Sequence, residues 1–106
     1  MADFDLVIRG GTLATASDVF RADIGVVDGR IAALGAKLGQ GRREIDAEDK
    51  IVTPGGIDSH CHIAQRSSMG VMTADDFFTA TRSAACGGTT TVIPFAAQHR
   101  GTPRRQ

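Results

Sequence analysis

Two histidines one residue apart, His60 and His62, close the run Val52-Thr-Pro-Gly-Gly-Ile-Asp-Ser-His-Cys-His-Ile63. In extended backbone, residues i and i+2 project from the same face. Both imidazoles then point one way and Cys61 the other. Paired imidazoles on a stiff backbone suit a divalent metal such as zinc, whose catalytic sites take three protein ligands and whose structural sites take four. The pair is therefore half of a metal site. Asp58 shares that face if the strand runs unbroken. It could accept from a ring N–H and fix a histidine tautomer, or make local backbone bonds at a strand end. The residue types alone leave both readings open.

The elements that must hold this pair change character at Pro54. Before it, the pattern predicts strands over 4–9, 12–15, 22–27 and 30–34, with Gly10-Gly11 ending the first. Asp28-Gly29 predicts a type I′ hairpin turn, because both central residues of that turn need φ > 0. Short strands at 44–47 and 50–53 bracket a turn at Glu48-Asp49. After Pro54-Gly55-Gly56, the histidine run reads as a strand and 64–71 as a loop. Thr73-Ala-Asp-Asp76 then opens a helix, with Thr73 as N-cap and Asp75 and Asp76 at the positive end of the helix dipole. Asp76 stands where a capping box prefers Glu or Gln. Phe77, Ala80 and Ala84 share a helical stripe, Gly87-Gly88 ends the helix, and 89–95 reads as a β-branched strand. Strand, loop, helix and strand make one βαβ unit, the repeating piece of an α/β barrel or open parallel sheet. His60 and His62 then lie at the carboxyl end of a strand, where such folds bind ligands.

Composition narrows the function classes. The 106 residues carry zero formal net charge, which gives no electrostatic reason for a nucleic-acid or anionic-membrane partner. Arg42-Arg43 and Arg104-Arg105 read as solvated loop and tail charge. No apolar run is long enough to span a bilayer, and the start of the chain lacks a basic stretch followed by an apolar one. Two cysteines, Cys61 and Cys86, do not make a disulfide framework and read as reduced thiols. A cytoplasmic location is expected.

At this point the residues meet a resemblance. Thr53-Pro-Gly-Gly-Ile-Asp-Ser-His-Cys-His62 resembles the first-strand motif of the amidohydrolase superfamily. Thr73-Ala-Asp-Asp-Phe77 with Thr81-Arg-Ser-Ala-Ala-Cys-Gly-Gly-Thr-Thr-Thr91, and the opening Asp5-Leu-Val-Ile-Arg-Gly-Gly-Thr12, are similar to the dihydropyrimidinase/hydantoinase branch in particular. The resemblance extends to about His99.

That resemblance implies a mixed α/β fold: a partial β-sandwich followed by the first βαβ unit of an incomplete (β/α)8 barrel. Residues 1–53 would supply the N-terminal part of the sandwich and 54–106 the start of the barrel. It also implies two divalent metals, usually zinc, bridged by a carbamylated lysine, with His60 and His62 as first-strand ligands. Water activated at the metals would attack the carbonyl carbon of a small-molecule cyclic amide, and an aspartate on the last barrel strand would move the proton. A (β/α)8 barrel takes about 250 residues. The bridging lysine, further histidines and aspartate would lie beyond residue 106, since Lys37 and Lys50 both fall in the first half and His99 reads as a loop histidine. The chain is thus expected to be an N-terminal fragment, inactive alone and binding zinc weakly. The tail 101–106 does not read as the start of a barrel helix. Uncovered strands would favour self-association or homo-oligomers.

Ala64 departs from the family pattern. Relatives acting on dihydroorotate carry an arginine at this position, and hydantoinases often an acidic residue. Gln65 and Arg66 read as loop residues. Two other classes stay in play. One is a non-catalytic binding or assembly module of the same fold. The other is a small metal or redox protein using His60, Cys61 and His62, which strand alternation disfavours.

Overall fold

The computed structural model describes residues 1–97 together with Arg100 and Gly101. The His99, Arg104-Arg105 and tail expectations fall wholly or partly outside those residues. Two compact units divide at Pro54/Gly55. Among the described residues, no helix is long and apolar enough to cross a membrane.

The first unit is one mixed sheet built on β1 (Phe4–Ala14). Antiparallel to β1 runs β2 (Val19–Val27), which pairs in turn with β3 (Arg30–Gly35). On the other edge of β1, β4 (Gly41–Asp46) and then β5 (Ile51–Val52) pair in parallel with successive stretches of it. Asp28 and Gly29 both have positive φ, 49° and 72°, as the β2–β3 hairpin turn requires.

Gly10-Gly11 does not end a strand. β1 continues through it, and 12–15 is no separate partner strand but the rest of β1 and the start of its turn. The pair Ile8↔Ile24 is followed by Gly11↔Ala22, so β1 spends one residue more than β2 over this interval. Gly10 takes φ +69°, the left-handed geometry of a glycine β-bulge. The extra residue reverses the in/out alternation. Ile8 before the bulge and Leu13 after it therefore pack into the same cluster, with Phe20, Ala22, Ile24, Val26 and Val52. Without the bulge Leu13 would face away from that cluster.

A bulge leaves backbone groups unpaired, and Asp23 supplies the missing partner. Its Oδ1 accepts from the Gly10 amide at 2.9 Å, and its Oδ2 from the Leu38 amide at 3.1 Å and Arg9 Nη1 at 3.0 Å. Arg9 also donates to the carbonyls of Leu38 and Gly39 and, as a bidentate fork, to Glu44. One cluster thus ties the bulge, the 36–40 loop and β4 together. The Gly10 and Leu38 amides, followed by the Arg9 guanidinium, hold the Asp23 carboxyl below the usual range for aspartate. Arg9 and then the Gly41 amide do the same for Glu44.

In the second unit β6 (Gly56–Cys61) and β7 (Thr89–Pro94) pair in parallel, with α1 (Phe77–Cys86) in the connection between them. The helix starts later than its sequence suggests. Asp76 is the N-cap, its side chain accepting from the Thr79 amide at 2.8 Å while the Thr79 hydroxyl accepts from the Asp76 amide. That Thr79 amide bond lowers the Asp76 pKa. Thr73 is engaged elsewhere, its Oγ1 accepting from the Gln65 amide and donating to the Asp75 carbonyl. The left-handed residue after the helix is Gly88, φ +88°, while Gly87 makes the cap hydrogen bonds at φ −90°.

Candidate metal centre

The geometry of the histidine pair follows from how β6 ends. Asp58↔Val92 is followed by Cys61↔Pro94, so β6 also takes an extra residue relative to β7 just before the pair. Strict alternation therefore fails at Asp58. Its carboxylate does not reach a ring; Oδ1 accepts from the His60 backbone amide at 3.0 Å. Of the two roles left open for Asp58, the local one is what the structure contains.

The two imidazoles nonetheless share a side. Their ring centroids lie 5.6 Å apart. Both rest on Phe95, the residue after β7: His60 at 4.6 Å with a 58° tilt, His62 at 4.7 Å and nearly parallel, at 7°. Phe95 is tied to the end of β6 by its amide, which donates to the Cys61 carbonyl at 2.9 Å. Its contact with two rings far away in sequence carries no sequence signal; by type and position Phe95 reads only as a strand residue.

Gln65 likewise carries no sequence signal beyond its place in a loop. Its Oε1 lies 2.7 Å from His62 Nδ1. The loop that carries it is shaped by its own backbone. Ala64 adopts φ +50°, an uncommon conformation for a residue with a Cβ. Around it the Ala64 amide donates to the Asp75 carbonyl, and Gln65 and Thr73 exchange backbone and hydroxyl bonds. An isolated Arg66↔Met72 bridge closes the excursion beyond them.

Two imidazoles on one side of a strand end fit part of a zinc donor set. Among the described residues, no group of three or more His, Cys, Asp or Glu side chains is gathered for a metal. His60, Cys61 and His62 are accordingly not gathered as a trio in this structure. Lys37 and Lys50 belong to the first unit and the histidine pair to the second.

Comparison with known proteins gives a consistent picture. No family model matches the chain. It is 48% identical over 97 residues to a D-hydantoinase of Ralstonia pickettii, covering 92% of this chain and 21% of that protein. Against the dihydropyrimidinase of Rattus norvegicus it is 42% identical over 103 residues, covering 92% of this chain and 20% of the relative. A solved D-hydantoinase structure superposes with a TM-score of 0.86 at 47% identity, over 93% of this chain and 21% of that one. The chain thus spans about a fifth of the length of the curated relatives it matches.

Proposed function

We propose that this chain, which belongs to the dihydropyrimidinase/hydantoinase branch of the amidohydrolases and corresponds to the N-terminal part of its relatives, carries the first two metal ligands of a hydrolase acting on the ring C–N bond of a cyclic amide. One observation carries the reading. His60 and His62 stand together at the carboxyl end of β6, against one phenyl ring, in a chain 48% identical to a D-hydantoinase. On this reading β6, α1 and β7 begin a (β/α)8 barrel, and the five-stranded sheet is the first share of a β-sandwich. The parallel β6–β7 pairing across a helical connection supports the barrel assignment.

His60 and His62 would hold zinc through ring nitrogens. A bound metal would lower the pKa of water and polarise the substrate carbonyl. Two protein ligands fall short of the three a catalytic zinc takes, so weak, exchangeable binding and no turnover are the expected behaviour of these 106 residues. A cytoplasmic location suits the two free thiols, Cys61 and Cys86. Zinc content by elemental analysis, alongside ring-opening assays on hydantoin and dihydrouracil, tests the proposal. Rapid hydrolysis by the pure chain would refute the incomplete-site part of it.

A second reading, an assembly module of the same fold, draws on the surface of the second unit. Ile57 is 69% exposed, Phe78 71% and Ile93 55%, and no residue of α1 is buried. Apolar surface of this kind, beside a sheet that has two strands among the described residues, favours association. Sedimentation velocity is expected to show concentration-dependent self-association, and Ile57→Lys together with Phe78→Lys to reduce it. A monodisperse monomer across the concentration range would remove this reading.

A further inference from the structure

We infer that Gln65 is a positioning residue that holds His62 in the Nδ1–H tautomer and so makes Nε2 its ligating nitrogen, with Phe95 setting the plane of the ring. The inference rests on the metal-ligand reading of the pair. A neutral imidazole has one N–H and one lone pair, and the partner of one nitrogen decides which form is present. The Gln65 amide oxygen lies 2.7 Å from Nδ1; an amide oxygen can only accept, so the contact is a hydrogen bond in the Nδ1–H tautomer, which leaves the lone pair on Nε2. Metal-binding histidines depend on such partners for tautomer and orientation.

Three features make this arrangement a built one. The left-handed turn at Ala64 brings the chain back so that Gln65 faces His62. A non-glycine residue there carries strain, which persists only where the surroundings enforce it, and the Ala64–Asp75 and Gln65–Thr73 bonds do so. Meanwhile the Phe95 ring stacks on His62 at 7°, restricting rotation about χ2 and keeping Nδ1 aimed at the amide. The glutamine contributes hydrogen-bond direction without charge, so the imidazole is oriented without the added basicity that a carboxylate partner gives.

Nitrogen-15 NMR of the metal-free chain, in buffer alkaline enough to keep imidazole neutral, reads the tautomer directly. Magic-angle spinning gives the same shifts if the protein self-associates. Wild type is expected to show His62 predominantly Nδ1–H. Gln65→Met, similar in size but with no amide acceptor, should move it towards Nε2–H, and Gln65→Glu should restore Nδ1–H. In zinc titrations Gln65→Met is expected to weaken binding about 10–100-fold, again with recovery in Gln65→Glu. An unchanged His62 tautomer in Gln65→Met, or an Nε2–H form in wild type, overturns the inference whether or not zinc binds. If the tautomer responds as expected but wild type takes up no zinc, the metal reading of the pair fails and the assignment of Gln65 as the residue orienting His62 stands.

Discussion

On the proposed metal-ligand reading of the pair, substituting either histidine is expected to weaken the chain's exchangeable zinc binding further. His60→Ala and His62→Ala should each weaken binding by more than about 100-fold, beyond the loss that follows from removing an outer partner of a ligand. Cys61→Ser should leave zinc binding within about twofold. The contrast follows from the site itself. Both rings rest on Phe95 on one side of the strand end, while Cys61 is half-buried and its carbonyl is used by the Phe95 amide. With only two imidazoles gathered among the described residues, losing one leaves a single ligand. Equilibrium dialysis against a zinc indicator checks the series. Equal losses in Cys61→Ser and His60→Ala would mean that the backbone rearranges to use the thiol, and the two-histidine assignment would fall. Ring opening of hydantoin by the wild-type chain should not exceed the buffer rate under the same conditions.

Where the sequence was legible, one local signal determined the outcome. Asp28-Gly29 is the clearest case, since left-handed φ at both positions leaves few alternatives to a type I′ turn. The βαβ order of the second unit was readable for a similar reason: a capped helical stripe between β-branched runs has one usual meaning. Other features depended on competition. Thr73 and Asp76 are both good N-caps by type; Asp76 caps α1, and the hydroxyl of Thr73 is committed to Gln65 and Asp75. Gly10-Gly11 reads as a strand end because glycine punctuates chains. The bulge appears only when β1 is paired with β2 and the register counted. The site shows the same division. The His60–His62 spacing is visible in the sequence, whereas the contacts of Gln65 and Phe95 with those rings depend on a kinked loop and a neighbouring strand.

Asp23 illustrates the largest stability consequence of that hidden geometry. It is a buried acid, only 6% exposed, in a strand whose other charged residue is Arg21, and it accepts from the amide of the bulge beside it. Asp23→Asn is nearly isosteric, but its NH2 group would replace the oxygen that faces the Leu38 amide and Arg9, setting donor against donors. The expected cost at neutral pH is about 1–3 kcal/mol, the range for leaving a buried hydrogen-bonding group without its partner; the Arg9 pair adds little, because Arg9 is partly open to water and solvent screens it. The pH dependence has a definite sign. Asp23 has a lowered folded-state pKa. Its contribution is therefore fully present above the unfolded value of about 3.9 and is lost as pH falls through the folded value. Wild type should lose stability steeply from about pH 4 downward, and the gap between it and Asp23→Asn should close over the same range. Urea unfolding at neutral and acid pH measures the gap. Hydrogen exchange supplies a local readout, since the Gly10 and Leu38 amides should lose protection in the variant even if the rest of the sheet retains it. A gap that persists undiminished in acid would show that shape at the bulge, and not the charge of Asp23, holds the 36–40 loop against β1.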